Sequence, residues 1–443
     1  MAPLSPKSAA RLELARAVGG GLCVPLRYAA HLVTRRSEMA HIRADIVAGA
    51  GRADEPPTAA LPMDRPLRVF VAAAEASGEI HAASLVRSVR ELAAAQGAPE
   101  PVITAIGGER LRALGVEPLA DPVARARTGF DGVLQSLPYY AGVLERAAEH
   151  ARDTKPDVFV PVDSPALHVP MARMVRGHGV PVVHLVAPQY WGWAPWRVGA
   201  YRRAVDLALT LLPHEPSWFG RHRVNTRHVG HPLLDALADV PVTHPDPASR
   251  MLAILPGSRT GVIERNLPWM LEALGPLREA APGLDVAVLQ STEEHRELIE
   301  SISAGRARLE TGDLHEQLAR ARAAFAVSGT VLTDALHHRL PHVVVYRIAK
   351  RFEEFIFRRV LTTPYFASTN LLAGREVVPE HCFRGDGPRE LVGRQLVDAW
   401  QDGPAREAMT AGIEDAAARL GEAGAIERAA RHALAVASGG GRT

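Results

Sequence analysis

The chain has 443 residues, 47% hydrophobic and 23% charged, the profile of a globular protein with room for two or three domains. A net charge of +2 argues neither for nor against a nucleic-acid partner, and the two distant cysteines, Cys23 and Cys382, form no metal or redox motif and fit a reducing compartment. No run of about 18 uncharged apolar residues exists, so no membrane span is expected, and residues 17–33 are too broken by Gly19-Gly20-Gly21, Pro25 and Arg27 for a signal peptide.

Residues 1–65 form a distinct basic, alanine- and proline-rich extension. They carry Lys7, Arg11, Arg16, Arg27, Arg35, Arg36 and Arg43 and close on the linker-like Asp54-Glu55-Pro56-Pro57. Two readings stand: a basic amphipathic segment lying on an anionic membrane, or a loosely ordered tail.

From Leu67 apolar runs alternate with helical patterns. The first series is 67–73, 102–106, 158–162, 180–185 and 207–211; the second is 251–255, 284–289, 323–327 and 342–346. Near-continuous apolar strands separated by helices predict parallel sheets covered on both faces. The expected fold is therefore α/β, with two doubly wound, Rossmann-like domains at 66–240 and 241–380 meeting at a cleft. Proline-rich 232–249 reads as the linker, and 381–443 as C-terminal helices.

Three strand-to-helix turns carry the chemistry: Glu75-Ala76-Ser77-Gly78-Glu79, Gly257-Ser258-Arg259 and Ser328-Gly329-Thr330. Small residues there let backbone N–H groups approach an oxyanion, which a helix N-terminus also favours. Arg259 adds a planar phosphate donor. Together the last two turns suggest a pyrophosphate site, although each alone also reads as an ordinary turn. No Asp-x-Asp triplet occurs, which argues against a metal bridged by such a pair, and no metal site is expected at His184, His231, His337 or His338. Arg259 and Arg375 would neutralise the pyrophosphate instead. Phe130, Val133, Leu134, Leu137, Tyr140, Val143 and Leu144 form a stripe at helical spacing. Beside the amphipathic Trp191, Trp193 and Trp196 it reads either as core or as a membrane-facing landing surface.

These motifs, in this order, resemble the lipid-A-disaccharide synthase family of GT-B glycosyltransferases from about Leu67 to Glu380. The carriers are Ala74–Glu79, Lys155–Pro165, His184–Trp193, Val229–Asp235, Leu255–Glu264, Ser328–Thr330, Tyr346-Arg347 and Asn370–Glu376. The resemblance implies transfer from UDP-2,3-diacylglucosamine to 2,3-diacylglucosamine 1-phosphate through a β-1,6 bond. It also implies metal independence, no cofactor beyond the sugar-nucleotide substrate, attachment to the inner membrane's cytoplasmic face, and a homodimer that exchanges C-terminal segments. Asp163 would be the essential carboxylate, as base or as positioner of the base. Glu75 would orient the acceptor or assist, unless it only caps its helix. Ser77, Gly78, Val133, Leu134, Leu137, Trp191 and Trp193 would meet acceptor or acyl chains. Gly257, Ser258, Arg259, Glu264, Ser328, Gly329, Thr330, Asp334, Asn370, Arg375 and Glu376 would hold the nucleotide-sugar, with Asp334 on the ribose.

The sequence departs from the family pattern at Glu79, at Asp334 (usually Glu), at Ala166 (usually a second Asp), near Gly132 and at Thr369. Two other readings therefore remain: a UDP-sugar enzyme with another acceptor or of 2-epimerase type, and a non-catalytic UDP-sugar- or lipid-binding relative.

Overall fold

The computed structural model describes residues 5–49, 52–127, 133–351, 354, 359 and 361–439. The first sheet comprises β1 (Arg68–Ala73), β2 (Val102–Ile106), β3 (Val158–Val162), β4 (Val183–Leu185), β5 (Leu207–Thr210) and β6 (Thr226–His228). All its pairings are parallel, in the order β2-β1-β3-β4-β5-β6. The second comprises β7 (Met251–Leu255), β8 (Asp285–Gln290), β9 (Arg308–Thr311), β10 (Ala323–Val327), β11 (His342–Arg347) and β12 (Glu380–Phe383). It too is parallel, in the order β12-β11-β10-β7-β8-β9. The inner strands β3, β5, β7 and β10 are buried along their whole length. That burial explains their predominantly apolar content, interrupted only by Pro161 in β3 and Thr210 at the end of β5.

Each sheet has one switch point, where the connections start to run the other way: between β1 and β3 in the first, and between β7 and β10 in the second. The carboxyl ends of strands at such a point leave an open crevice, the usual ligand position in open α/β sheets.

Helices of twelve residues or more are α1 (Pro6–Leu22), α2 (Val24–Ala48), α3 (Ala76–Ala95), α4 (Val133–Thr154), α5 (Pro165–Arg176), α6 (Thr260–Glu272), α7 (Arg389–Trp400), α8 (Pro404–Leu420) and α9 (Ala425–Ala437). The chain forms two compact units, one of residues 1–36, 52–236 and 422–443, the other of 37–51 and 237–421. The sequence-based division at 380/381 is corrected accordingly. Strand β12 with α7 and α8 completes the second unit, and α9 returns to the first to pack on α3. There Ile426, Ala429, Ala430, Ala433 and Leu434 join the core beneath β1 and β3. The Asp235 carboxylate anchors the return by accepting hydrogen bonds from the N–H groups of Gly424, Ala425 and Ile426 at 2.6, 3.0 and 2.7 Å. Those are orphan donors at a helix start, so a distant carboxylate supplies the cap.

The extension is not a loose tail. Helix α1 packs against α4 and α5, with Ala10 and Glu13 buried. Glu13 is bound by Arg16 and by Arg173 of α5.

Candidate active site

The first sheet's switch point carries Asp163. Strand β3 ends at Val162, and both Asp163 and Ser164 then adopt left-handed conformations, with φ of 54° and 45°, before Pro165 opens α5. Such conformations cost about 1–3 kcal/mol each in residues with a side chain, so neighbouring groups must hold the turn. Two buried imidazoles do so: His168 Nδ1 and His184 Nε2 lie 2.7 and 3.0 Å from the Asp163 carbonyl oxygen. A carbonyl only accepts, so His168 carries its proton on Nδ1 and His184 on Nε2. Burial keeps both neutral, pushing them down to about 4 and about 3.

Beside this turn, in register through the Ala73–Val162 pairing, β1 leads into α3. Gly78 makes the close approach possible, because a Cβ there would lie 3.3 Å from the Val162 carbonyl and 3.8 Å from Asp163 Cβ. The exposed Glu75 is the N-cap residue of α3, but its side chain makes no capping bond, so the carboxylate points to no backbone partner in its own helix. Ser77 is exposed on the same turn. Burial raises the Asp163 carboxyl above its ordinary value, against the opposing Ser164 N–H. A proton acceptor is thereby brought nearer neutral pH, where general bases work best.

The second sheet's switch point carries a cavity of about 480 Å³ lined by Gly257, Ser258, Arg259, Ser328, Gly329, Thr330, Asp334, Gln290 and Tyr346, among others. The two glycine turns separated by some 70 residues are thus brought together in one unit. Gly257 takes φ of +101°, and a Cβ there would lie 2.8 Å from Val262 Cγ1, so only glycine fits. Its carbonyl accepts from Gln290 Nε2 at 3.1 Å. Arg259, exposed at the N-cap of the thirteen-residue α6, has no carboxylate partner among the described residues. Free N–H groups at a helix start and an unneutralised guanidinium together suit an anion. The Ser328 hydroxyl donates to the Phe366 carbonyl at 2.7 Å. Asp334, on the helix Val331–His337, is pushed up to about 7 by burial. His315 Nε2 stands 4.0 Å from it, and His315 Nδ1 meets His338 Nε2 at 3.1 Å.

Other sequence-predicted residues fall elsewhere. Asn370 is fully buried: its oxygen accepts from the N–H groups of Val377 and Val378, and its amide donates to the Val378 carbonyl and to Glu380. It braces its own loop and has no polar group left for a ligand. Arg375 lies on the surface, paired with Asp415 at 2.6 Å, and Glu376 and Glu264 are exposed; none of the three lines the cavity. Trp191 is corrected from lipid contact to core: it is 2% exposed and its indole N–H donates to Glu215 at 3.0 Å. Trp196 stacks edge-on with His31, while Trp193 is exposed beneath the Arg197 guanidinium. In the apolar stripe Val143 and Leu144 are core, and Leu137 and Tyr140 are half-buried. The side chains of Val133 and Leu134, and all of Phe130, lie outside the described residues.

Three carboxylates, Glu79 and Glu215 buried and Glu380 half-buried, escaped the sequence reading or gained a role. Glu79 accepts from the N–H groups of Gly108 and Arg110 at 2.7 and 3.0 Å and so fixes the loop after β2. Glu215 accepts from Trp191 and from the N–H groups of Leu211 and Leu212. Glu380 accepts from the Ala367 N–H and from Asn370, and is pushed up to about 7 by burial.

A family model described as lipid-A-disaccharide synthetase matches residues 69–415. The lipid-A-disaccharide synthase of Myxococcus xanthus (strain DK1622) is 36% identical over 387 residues, covering 84% of this chain and 98% of the relative. That of Koribacter versatilis (strain Ellin345) is 33% identical over 390 residues, covering 84% and 99%. Among solved structures, a Staphylococcus aureus MnaA–UDP co-structure aligns with a TM-score of 0.51 at 14% identity, over 82% of this chain and 94% of that one. A Listeria monocytogenes structure named for UDP-N-acetylglucosamine 2-epimerase gives 0.54 at 14%, with the same coverages. At such identities these two likenesses bear on the GT-B fold alone.

Proposed function

This chain belongs to the lipid-A-disaccharide synthetase family and is a glycosyltransferase of lipid A biosynthesis; we propose that it joins UDP-2,3-diacylglucosamine to 2,3-diacylglucosamine 1-phosphate with inversion. The acceptor's 6-hydroxyl oxygen attacks the donor's anomeric carbon, the bond to UDP breaks, and a β-1,6 linkage forms. The hydroxyl proton passes to Asp163, and UDP leaves with the bonding electron pair. Without that transfer a primary alcohol is a poor nucleophile, and a positioned base is worth about 10²–10⁴-fold. Glu75 and Ser77, exposed on the adjoining turn, orient the acceptor. Among the described side chains of the acyl-contact set, Leu137 and Trp193 are at least partly accessible.

The second unit holds the donor. Arg259 and the first N–H groups of α6 neutralise the pyrophosphate, Ser328 to Thr330 line its seat, and Asp334 receives the ribose hydroxyls. Leaving-group charge is met by these donors without a metal. Aspartate here is one methylene shorter than the glutamate the family usually has, so a bridging water completes the ribose contact. The enzyme would act at the cytoplasmic face of the inner membrane, where acylated substrates reside. No helix among the described residues is long and apolar enough to cross it. A homodimer exchanging C-terminal segments is the assembly the resemblance implies, and α9 on α3 is the contact it would exchange.

The observation that carries this reading is a half-buried carboxylate held in a left-handed turn at the first sheet's switch point. The test is Asp163→Asn, which keeps shape and neutral hydrogen bonding but removes the proton acceptor. Turnover should fall by about 10²–10⁴-fold while the UDP dissociation constant stays unchanged. Near-normal disaccharide formation, or joint loss of UDP affinity and activity, would remove Asp163 from the mechanism.

A further inference from the structure

The segment 5–36 precedes the matched region 69–415, and its surface is unlike the rest of the molecule. Four of the eleven strongly exposed large apolar side chains among the described residues lie here: Leu12, Leu26, Leu32 and Val33, at 39, 76, 42 and 84% exposure. The segment is under a tenth of the chain, so this is a concentration, not scatter. Its exposed charges are all cationic: Lys7, Arg11, Arg16, Arg27 and Arg36. Its one acid, Glu13, is buried and bound by Arg16 and Arg173. Along α2 the exposed Leu26, Ala29, Ala30 and Val33 follow the i, i+3, i+4, i+7 spacing of one helix face, with Arg27 and Arg36 beside them. The opposite side is seated on the protein, with His31 buried against Trp196. Apolar groups therefore occur on both sides of this helix, and among the described residues one side packs on the protein while the outer row is exposed.

We propose that this outer face of α2 is a docking surface for an anionic phospholipid membrane. Leu26 and Val33 enter the boundary between headgroups and acyl chains, and Arg27 and Arg36 meet lipid phosphates, the pattern of interfacial helices. The cations of α1 add to the attracting field. A two-fold contact with a second copy would bring like charges together on a segment with no exposed acid to pair them. A nucleic-acid backbone would leave the apolar row without a role. The inference draws its purpose, though not its physics, from the lipid-substrate reading above.

Flotation of the full chain with vesicles tests it by binding alone, so a failure of the proposed transferase activity would be read separately. Phosphatidylcholine containing about a quarter phosphatidylglycerol should bind, pure phosphatidylcholine should bind far less, and about 0.5 M salt should release the protein. Arg27→Gln with Arg36→Gln should lower partitioning by roughly 10–30-fold, at about tenfold or less per cation. Arg27→Lys with Arg36→Lys should restore it. Leu26→Ser with Val33→Ser should lower it by at least about tenfold. Melting temperature should not move, because these side chains are exposed. No binding to either vesicle, binding indifferent to lipid charge, or full binding by both paired variants would overturn the proposal. Concentration-dependent dimerisation abolished by Leu26→Ser with Val33→Ser would assign the face to a second copy instead.

Discussion

Replacing His184 by phenylalanine isolates what holds the reactive turn. The ring volume is nearly kept, but the Nε2–H that donates to the Asp163 carbonyl at 3.0 Å is lost, leaving only His168 at 2.7 Å. One neutral hydrogen bond is worth about 0.5–1.5 kcal/mol, so the stability loss should be about 1 kcal/mol. For a unit of this size that is a fall of about 2–4 °C in melting temperature. The effect on rate should be larger. Asp163 and Ser164 both lie in left-handed conformations whose cost is comparable with the two imidazole bonds together. With one bond gone the turn can relax, and a displacement of about 1 Å at the carboxylate costs on the order of 10²-fold in turnover. Disaccharide formation should therefore fall about a hundredfold at unchanged UDP affinity, since the nucleotide seat belongs to the other unit. His184→Gln, whose amide N–H can reach the same carbonyl, should recover much of the rate. A phenylalanine variant with wild-type turnover and the same loss of stability would show that His184 is only packing.

Arg259→Ala should weaken UDP binding by about 1.5–3 kcal/mol in calorimetry with excess chelator, the value of a charge-assisted hydrogen bond; an unchanged constant would move the phosphate site. Gly257→Ala should cost about 1–3 kcal/mol of stability in denaturant melts and weaken UDP further, because φ of +101° and the 2.8 Å approach of Val262 both resist a Cβ; wild-type affinity would contradict this. Trp191→Phe should destabilise by about 1.5–3 kcal/mol, since buried Glu215 loses one of three donors. Asp334 carries a pH signature: its carboxyl is pushed up to about 7 in the fold, so its contribution to stability is full below its unfolded value and lost as pH rises through about 7. In that window unfolding releases its proton, and Asp334→Asn should reduce proton release on unfolding near pH 5.5 by about one and flatten the stability profile. An unaltered profile would place that carboxyl at its ordinary value.

Both sheets were legible because their inner strands are buried on two faces and read as unbroken apolar runs. Three strands were not: β6 (Thr226–His228), β9 (Arg308–Thr311) and β12 (Glu380–Phe383) are all edge strands, short and polar. An edge strand need not be apolar, so no hydrophobic run announces it. The glycine turns could be read because their small residues and following helices are local features. Their meeting in one cavity follows from strand order, which spacing alone does not give. Trp191 misled because an indole looks the same in a sequence whether it faces lipid or a buried Glu215. Asn370 misled in the other direction: a polar residue in a motif suggested ligand contact, whereas its amide is used up by its own loop and by Glu380. The basic extension gave no strong single pattern because α2 carries apolar groups on both its faces.

The central claim is tested most directly by the product itself. Purified protein incubated with UDP-2,3-diacylglucosamine and 2,3-diacylglucosamine 1-phosphate, with chelator present, should yield disaccharide 1-phosphate and UDP in equal amounts. Mass spectrometry should give the disaccharide mass, and nuclear magnetic resonance should show a β-1,6 linkage. UDP release without disaccharide, epimerised sugar nucleotide, or no turnover by a folded, UDP-binding protein would contradict the account.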